Sequence, residues 1–211
     1  MRGGDITNKE AFAVPTRYAQ IISDNLSKLF SRPLSELEGS IGAKQQGTSL
    51  IFHAFGAPCV IEPDRITLSG VASVDPKGLL VSLYARHATP HEIQREPFIS
   101  FKDFQGSMPY QGAFSANSER VLIPHVPLIQ AHARTIKAAF NGEDGDLGDF
   151  SLILYPFPKI ALCYICYLAD DEFPASVTIL FSANALSFMP LDGLADVAEY
   201  TSKEIIQLVS Q

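Results

Sequence analysis

The 211 residues, 46% of them hydrophobic, are enough for one sizeable core, and length alone allows either one domain or two small ones. Sixteen Lys plus Arg against twenty-three Asp plus Glu leave a net charge of −7, the wrong sign for a general nucleic-acid surface, which gains affinity by neutralising phosphates. No apolar run approaches the roughly 20 residues that span a bilayer, and the polar opening MRGGDITNKE lacks the build of a signal peptide, so a membrane partner is not expected and a cytoplasmic location is.

Residues 1–14 read as a flexible tail ahead of one domain over 15–211. Pro15 opens PTRYAQIISDNLSKLF, where Tyr18, Ile21, Ile22, Leu26, Leu29 and Phe30 recur at helical spacing and predict an amphipathic helix. Ser31 to Gly42 predicts a shorter one, with Leu34, Leu37 and Ile41 spaced three and four apart and Gly42 at its stop. These two helices are expected to pack as an N-terminal pair. From Thr48 the period changes: SLIFHAF, PCVIE and ITLSG, broken by Gly56, Pro58, Pro63 and Asp64, predict a small antiparallel meander. Asp75-Pro76 then supplies a cap and a first-turn proline for PKGLLVSLYARHA, whose Leu79, Leu80, Leu83 and Tyr84 share a face to be buried.

Pro90 to Ala116 is the least regular stretch, and its Phe98, Phe101, Phe104, Tyr110 and Phe114 either plug a core edge or line a pocket. Pro124 to Phe140 reads as a helix, and GEDGDLGD as an acidic turn before the strand SLILYPF. The chain closes with the strand IALCYICYL, the turn ADDEFP, the strand ASVTILF and a helix from Asp192 to about Val209. Helices, strands, helices and a final hairpin, without βαβ alternation or repeats, predict an α+β fold of antiparallel sheet with helices packed against it.

Asp170, Asp171 and Glu172 interrupt two apolar runs, and carboxylates are seldom buried unpaired, so this turn is either solvated or employed. It suits a hard cation such as Mg²⁺ or Ca²⁺, or a general acid and base pair. Phe173-Pro174 is expected to anchor the backbone and aim the three carboxylates. A third reading has them cap a helix or pair with Arg86, Arg120 or Lys159.

Cys163-Tyr-Ile-Cys166 has the spacing of a redox or metal pair, but residues three apart on a strand face opposite sides, so both thiols read as core. With Cys59 they make an odd count and no disulfide framework, which suits a reducing compartment. GEDGDLGD lacks the order of a calcium loop and reads as an exposed connection. Pro90 separates His87 from His91, His125 and His132 lie seven apart on one possible helix face, and His53 sits alone in a strand. No nucleophile elbow, phosphate loop or dinucleotide fingerprint occurs, and nothing brings Lys159, Tyr155 or Arg86 to the carboxylate turn.

The C-terminal pattern, PKIAL, then ADDEFPA, ILFSANA and MPLDGL, resembles the bacterial and archaeal family catalogued as domain of unknown function 3786. Gly42-Ala43, Phe55-Gly56 and the run Ile99 to Phe104 are similar to it as well, so the resemblance spans roughly Leu34 to Leu208. It implies no assigned reaction. It does imply a link to anaerobic redox or one-carbon metabolism, and its signature carries over here as Asp170 to Pro174. Some members bear an iron–sulfur segment; this chain lacks clustered cysteines, so a cluster of its own is not expected.

The resulting expectation is a non-catalytic accessory domain that binds a small ligand or a partner protein through Asp170, Asp171 and Glu172 and the aromatic loop at Phe101 and Tyr110. No cofactor is required. The alternative is a metal-assisted enzyme holding a divalent cation on the same three carboxylates, with His87 or His91 brought near by the fold.

Overall fold

A computed structural model describes residues 17–210; the expected tail and the start of the first helix at Pro15 lie outside the described residues. Helix α1 (Arg17–Leu29) buries Ile22, Leu26 and Leu29 as the periodicity requires, together with Asn25, while Tyr18 at its start stays exposed. Helix α2 (Leu34–Ile41) buries Leu37 and Ile41 and ends at Gly42, whose φ of 72° is the left-handed stop that glycine supplies. In place of the expected pair, α1 packs chiefly on α3 (Pro76–His87), and α2 shares its contacts equally between α3 and the strand that follows Gly42. The reason is that α3 is apolar almost all round, with Leu80, Val81, Tyr84 and Ala85 buried, so it offers a surface to several neighbours. Asp75 caps it, accepting the Gly78 N–H at 2.9 Å, with Pro76 in the first turn.

The meander forms a five-stranded antiparallel sheet in chain order: β1 (Lys44–Gln46), β2 (Ser49–Ala54), β3 (Ala57–Ile61), β4 (Ile66–Leu68) and β5 (Val71–Ala72). Strand alternation sends Leu50, Phe52, Ala54, Cys59 and Ile61 to the core and Ile51, His53, Pro58 and Val60 to the other face. Phe55 and Gly56 both take positive φ, 53° and 75°, the pairing that a two-residue hairpin turn needs. Phe55 is a costly residue there, and its contacts account for it: its N–H donates to the Pro156 carbonyl at 2.9 Å and its ring meets Phe157 edge-on at 5.0 Å. The hairpin tip thereby fastens the first sheet to the second.

The second sheet runs β6 (Ile99–Ser100), β10 (Ser176–Phe181), β9 (Ile160–Tyr167), β8 (Phe150–Phe157) and β7 (Glu143–Asp144), also antiparallel. Its inner face joins the main core, and its outer face carries a small second cluster of Ile153, Ala161, Cys163 and Ile165, covered by Ile93 and Phe98 of the irregular stretch. Phe101, Phe104 and Phe114 plug the core edge: Phe101 stacks on Phe114 with centroids 4.3 Å apart, and all three meet Phe181.

After α4 (Gln111–Phe114) and a π-type turn over Ser115–Glu119, the helix predicted from Pro124 is divided. Arg120–His125 forms a 3₁₀ turn containing Pro124, Pro127 falls in the first turn of α5 (Val126–Ala131), where its missing donor costs nothing, and α5 and α6 (Ala133–Ala139) are separated at His132, whose φ of −104° and ψ of 13° depart from helix. His125 and His132 therefore do not share one helix face. The closing helix α7 (Leu191–Val209) buries Leu194, Val197, Ala198 and Ile205 against this layer. No helix among the described residues is long and apolar enough to cross a membrane.

Candidate functional site

The carboxylate turn holds itself together. Asp170 Oδ1 accepts the N–H of Phe173 at 2.6 Å and of Glu172 at 2.8 Å, bonds that keep the Asp170 carboxyl below the usual carboxylate range. Phe173, expected to anchor the turn, is instead 67% exposed; the aspartate does the fixing. Asp171 and Glu172 are exposed, and no ion pair among the described residues reaches them: Arg86 donates to Asn25 Oδ1 at 2.9 Å and Lys159 is occupied elsewhere. Tyr167, Leu168, Phe173 and Pro174 line a groove of about 450 Å³ beside Asp149 and Asp170. Phe101 lies in the core at 0% exposure, and Tyr110 borders a separate depression with Asp192, Asp196 and Glu199 of α7, so neither meets the carboxylate turn.

No three His, Cys, Asp or Glu side chains among the described residues converge as a metal centre requires. His87 Nδ1 lies 2.9 Å from the Leu83 carbonyl and His91 Nδ1 lies 3.0 Å from Thr89 Oγ1. Cys163 faces the outer cluster and Cys166 the main core, and burial pushes their thiols to about 11 and about 12, with Cys59 also at about 12. Such thiols are poor nucleophiles and poor ligands.

A cleft of about 500 Å³ opens where the outer face of the first sheet meets the β8–β9 hairpin. Its lining is Gly42, Lys44, Ile51, Phe52, His53, Pro58, Asn141, Tyr155 and Pro158. The sheet register builds one side: Lys44 lies opposite Ile51, and His53, two residues further on, lies opposite Pro58, so all four share the outer face. The other side comes from three departures from regular backbone. Gly42 is left-handed; Asn141 is left-handed at the end of α6, with φ of 50°; and between Leu154 and Phe157 the β8–β9 register slips by one, a bulge that places Tyr155 and Pro156 opposite Ala161. Pro156 has no N–H to lose at that position. Tyr155 donates from its N–H to the Phe140 carbonyl at 3.2 Å, and its hydroxyl donates to Glu143 Oε1 at 3.0 Å, where Arg95 also pairs.

Lys159, beside this wall in the hairpin turn, is 7% exposed. Its ammonium donates to the carbonyls of Gly39 at 2.6 Å, His91 at 2.9 Å and Thr89 at 3.3 Å. Burial draws its pKa below the usual lysine value, and the Glu92 carboxylate opposes that shift. With its protons engaged, it is a staple joining α2, the segment after α3 and the hairpin, and not a reactive amine.

The profile of the family described as Domain of unknown function (DUF3786) matches residues 33–204. The chain belongs to this family. No curated protein and no solved structure matches the chain. The family span takes in every residue of the cleft and the whole carboxylate turn.

No motif marks Lys44, Asn141 or the pairing of His53 with Ile51. Alternation in SLIFHAF does place Ile51 and His53 together, and an Asn-Gly pair ending a helix does signal a left-handed residue. Nothing local signals that Tyr155 and Pro158 close over them.

Proposed function

We propose that this domain is a non-catalytic binding module that takes a small organic molecule in the cleft between the first sheet and the β8–β9 hairpin. One observation carries this: the cavity of about 500 Å³ is framed by Gly42, Asn141 and the β8 bulge, three irregular backbone positions gathered at a single wall. Irregular backbone clusters at ligand clamps, and small-molecule sites are mostly apolar hollows of roughly 300–1,000 Å³ with a few fixed polar groups. Here Ile51, Pro58 and Pro158 supply the apolar surface, and Lys44, His53, Asn141 and Tyr155 the polar groups. The buried thiols and the engaged Lys159 offer no activated nucleophile, which favours binding over catalysis.

The test is a fragment screen read by amide chemical shifts in ¹⁵N-labelled protein. Hits should move Lys44, Ile51, His53, Asn141 and Tyr155, and Ile51→Trp, which fills the cleft from an outward-facing position, should abolish those shifts while preserving the rest of the spectrum. Hits that gather elsewhere, or that survive Ile51→Trp, would refute the assignment.

A second reading, docking of a partner protein, is favoured by Phe173 and Tyr167, 67% and 47% exposed at the rim of the groove beside unpaired carboxylates. Its occupant would present Lys or Arg next to an apolar side chain. Peptides of that kind should bind in fluorescence anisotropy and be lost in Phe173→Ser and at high salt; salt-independent binding would argue against it.

A further inference from the structure

Resting on the cleft reading above, we propose that its ligand is a small anion, a carboxylate or a phosphate, joined to an apolar body, with Lys44 and His53 as the anion clamp. The lining contains no Asp or Glu, although the chain carries a net charge of −7. The carboxylates just behind the wall are already matched: Glu143 pairs with Arg95 and accepts from Tyr155, and Asp144 holds Lys137 at 2.6 Å. The lining itself therefore carries positive and no negative charge, while Glu38, outside it, accepts the Gln45 N–H at 3.1 Å. Neither the Lys44 nor the His53 side chain has a hydrogen-bond or ion-pair partner among the described residues, so their donors are available to a ligand.

Register fixes their separation. Lys44 lies opposite Ile51, and His53 follows Ile51 by two residues, which makes Lys44 and His53 diagonal neighbours on one face, roughly 7–8 Å apart at their origins. A long lysine stem and an imidazole reaching inward from that spacing can both contact one carboxylate or phosphate group, each bond being charge-assisted. Beyond the clamp the surface turns apolar: Ile51 lies between the two donors, and Pro58 and Pro158 border them. Gly42 leaves room beside Pro158, whose Cβ would stand only 2.9 Å from any side chain added there. An inorganic ion alone would leave that apolar surface uncovered, and a neutral acceptor would form only the weaker bonds that lack charge assistance.

The probes are benzoate, phenyl phosphate, neutral benzamide and inorganic phosphate, titrated into the full chain and followed by amide shifts at Lys44, Ile51, His53 and Asn141. Benzoate or phenyl phosphate should bind at least about tenfold more tightly than benzamide, as one charge-assisted contact implies. The tighter of the two anions names the acid. Lys44→Met, and independently His53→Glu, should remove that advantage and leave benzamide unchanged; each is an exposed strand position, and an otherwise unaltered spectrum verifies folding. Equal binding of benzoate and benzamide, unaffected by Lys44→Met, would overturn the anion assignment while leaving the cleft as a ligand site. Inorganic phosphate binding as tightly as phenyl phosphate would overturn the apolar body. Silence from all four probes also overturns the proposal; if neutral fragments still map to the cleft the binding reading survives, and if none do, both fall.

Discussion

Lys159→Met removes an ammonium and keeps most of its buried stem, so it isolates what the three carbonyl contacts contribute. The bonds to Gly39 at 2.6 Å and His91 at 2.9 Å are short and charge-assisted; that to Thr89 at 3.3 Å is too long to add much. Net values of about 1.5–3 kcal/mol per bond to a charged group give a gross loss of about 3–6 kcal/mol. Two effects reduce it. The wild-type ammonium is held out of water, a cost visible in its lowered pKa, and Gly39 and His91 are exposed residues whose carbonyls water can reach in the variant. The expected net loss is about 2–3 kcal/mol, which lowers Tm by roughly 4–12 °C in a domain of this size. Urea unfolding followed by circular dichroism should show an earlier midpoint at unchanged slope, the sign of a stability change without a change in compactness. A loss below about 0.5 kcal/mol, the range of an ordinary surface substitution, would mean that the lysine staples nothing.

Gly42→Ala meets a φ of 72° and a Pro158 Cβ only 2.9 Å from the new methyl; left-handed strain and overpacking together should cost about 2–4 kcal/mol in urea unfolding, and a loss under about 1 kcal/mol would show that the hairpin yields freely. The buried thiols have folded-state pKa values raised from 9.0 to about 11 for Cys163 and about 12 for Cys59 and Cys166, so the folded state keeps protons that the unfolded state releases. Their contribution is full below pH 9 and declines as pH rises from 9 toward 12, and iodoacetamide should label none of them in the native protein at pH 8; rapid native labelling would contradict the burial. In calorimetry, Asp170→Ala should lower Tm, whereas Asp171→Ala and Glu172→Ala should not, since Asp170 alone among them binds the turn's N–H groups. The Asp170 carboxyl has its pKa lowered by folding, so its share of stability is present above the ordinary carboxylate range and lost as pH falls through it; identical Tm values for the three variants would dismiss that share.

The α+β architecture was legible because its signals are local: the Asp75-Pro76 cap, the left-handed stop at Gly42, the β-rich runs and the opposed faces of Cys163 and Cys166 all follow from period and turn chemistry. What sequence obscured depends on competition between neighbours. Whether α1 and α2 pair with each other or with α3 is decided by how apolar α3 is all round, and periodicity within α1 or α2 contains no trace of that. The helix predicted over Pro124 to Phe140 starts instead as a 3₁₀ turn around Pro124, a signal present in the sequence, and is interrupted again at His132, which the apolar spacing does not mark. The carboxylate turn was conspicuous because composition is local; the cleft was not, because its walls come from β1, β2, β3, the end of α6 and the β8–β9 turn, segments about 100 residues apart in the chain.

These two surfaces occupy opposite ends of one hairpin, and their independence can be measured. Pro158 lines the cleft and Tyr167 the acidic groove, and the strand between them, Ile160 to Tyr167, spans about 23 Å at roughly 3.3 Å per residue. At physiological salt the screening length is about 8 Å, so Asp170, Asp171 and Glu172 should exert little force on an anion held by Lys44 and His53, opposite though their charges are. Sites so far apart with no shared partner are expected to add within about 0.5 kcal/mol. Neutralising the turn as Asp170→Asn/Asp171→Asn/Glu172→Gln should accordingly leave the benzoate Kd within about twofold of wild type at 0.15 M salt, while Lys44→Met weakens it about tenfold in the same titration. If the triple variant instead tightened benzoate binding by tenfold, the acidic turn would be acting on the cleft through the field of the whole molecule, and the two ends would have to be treated as one electrostatic site.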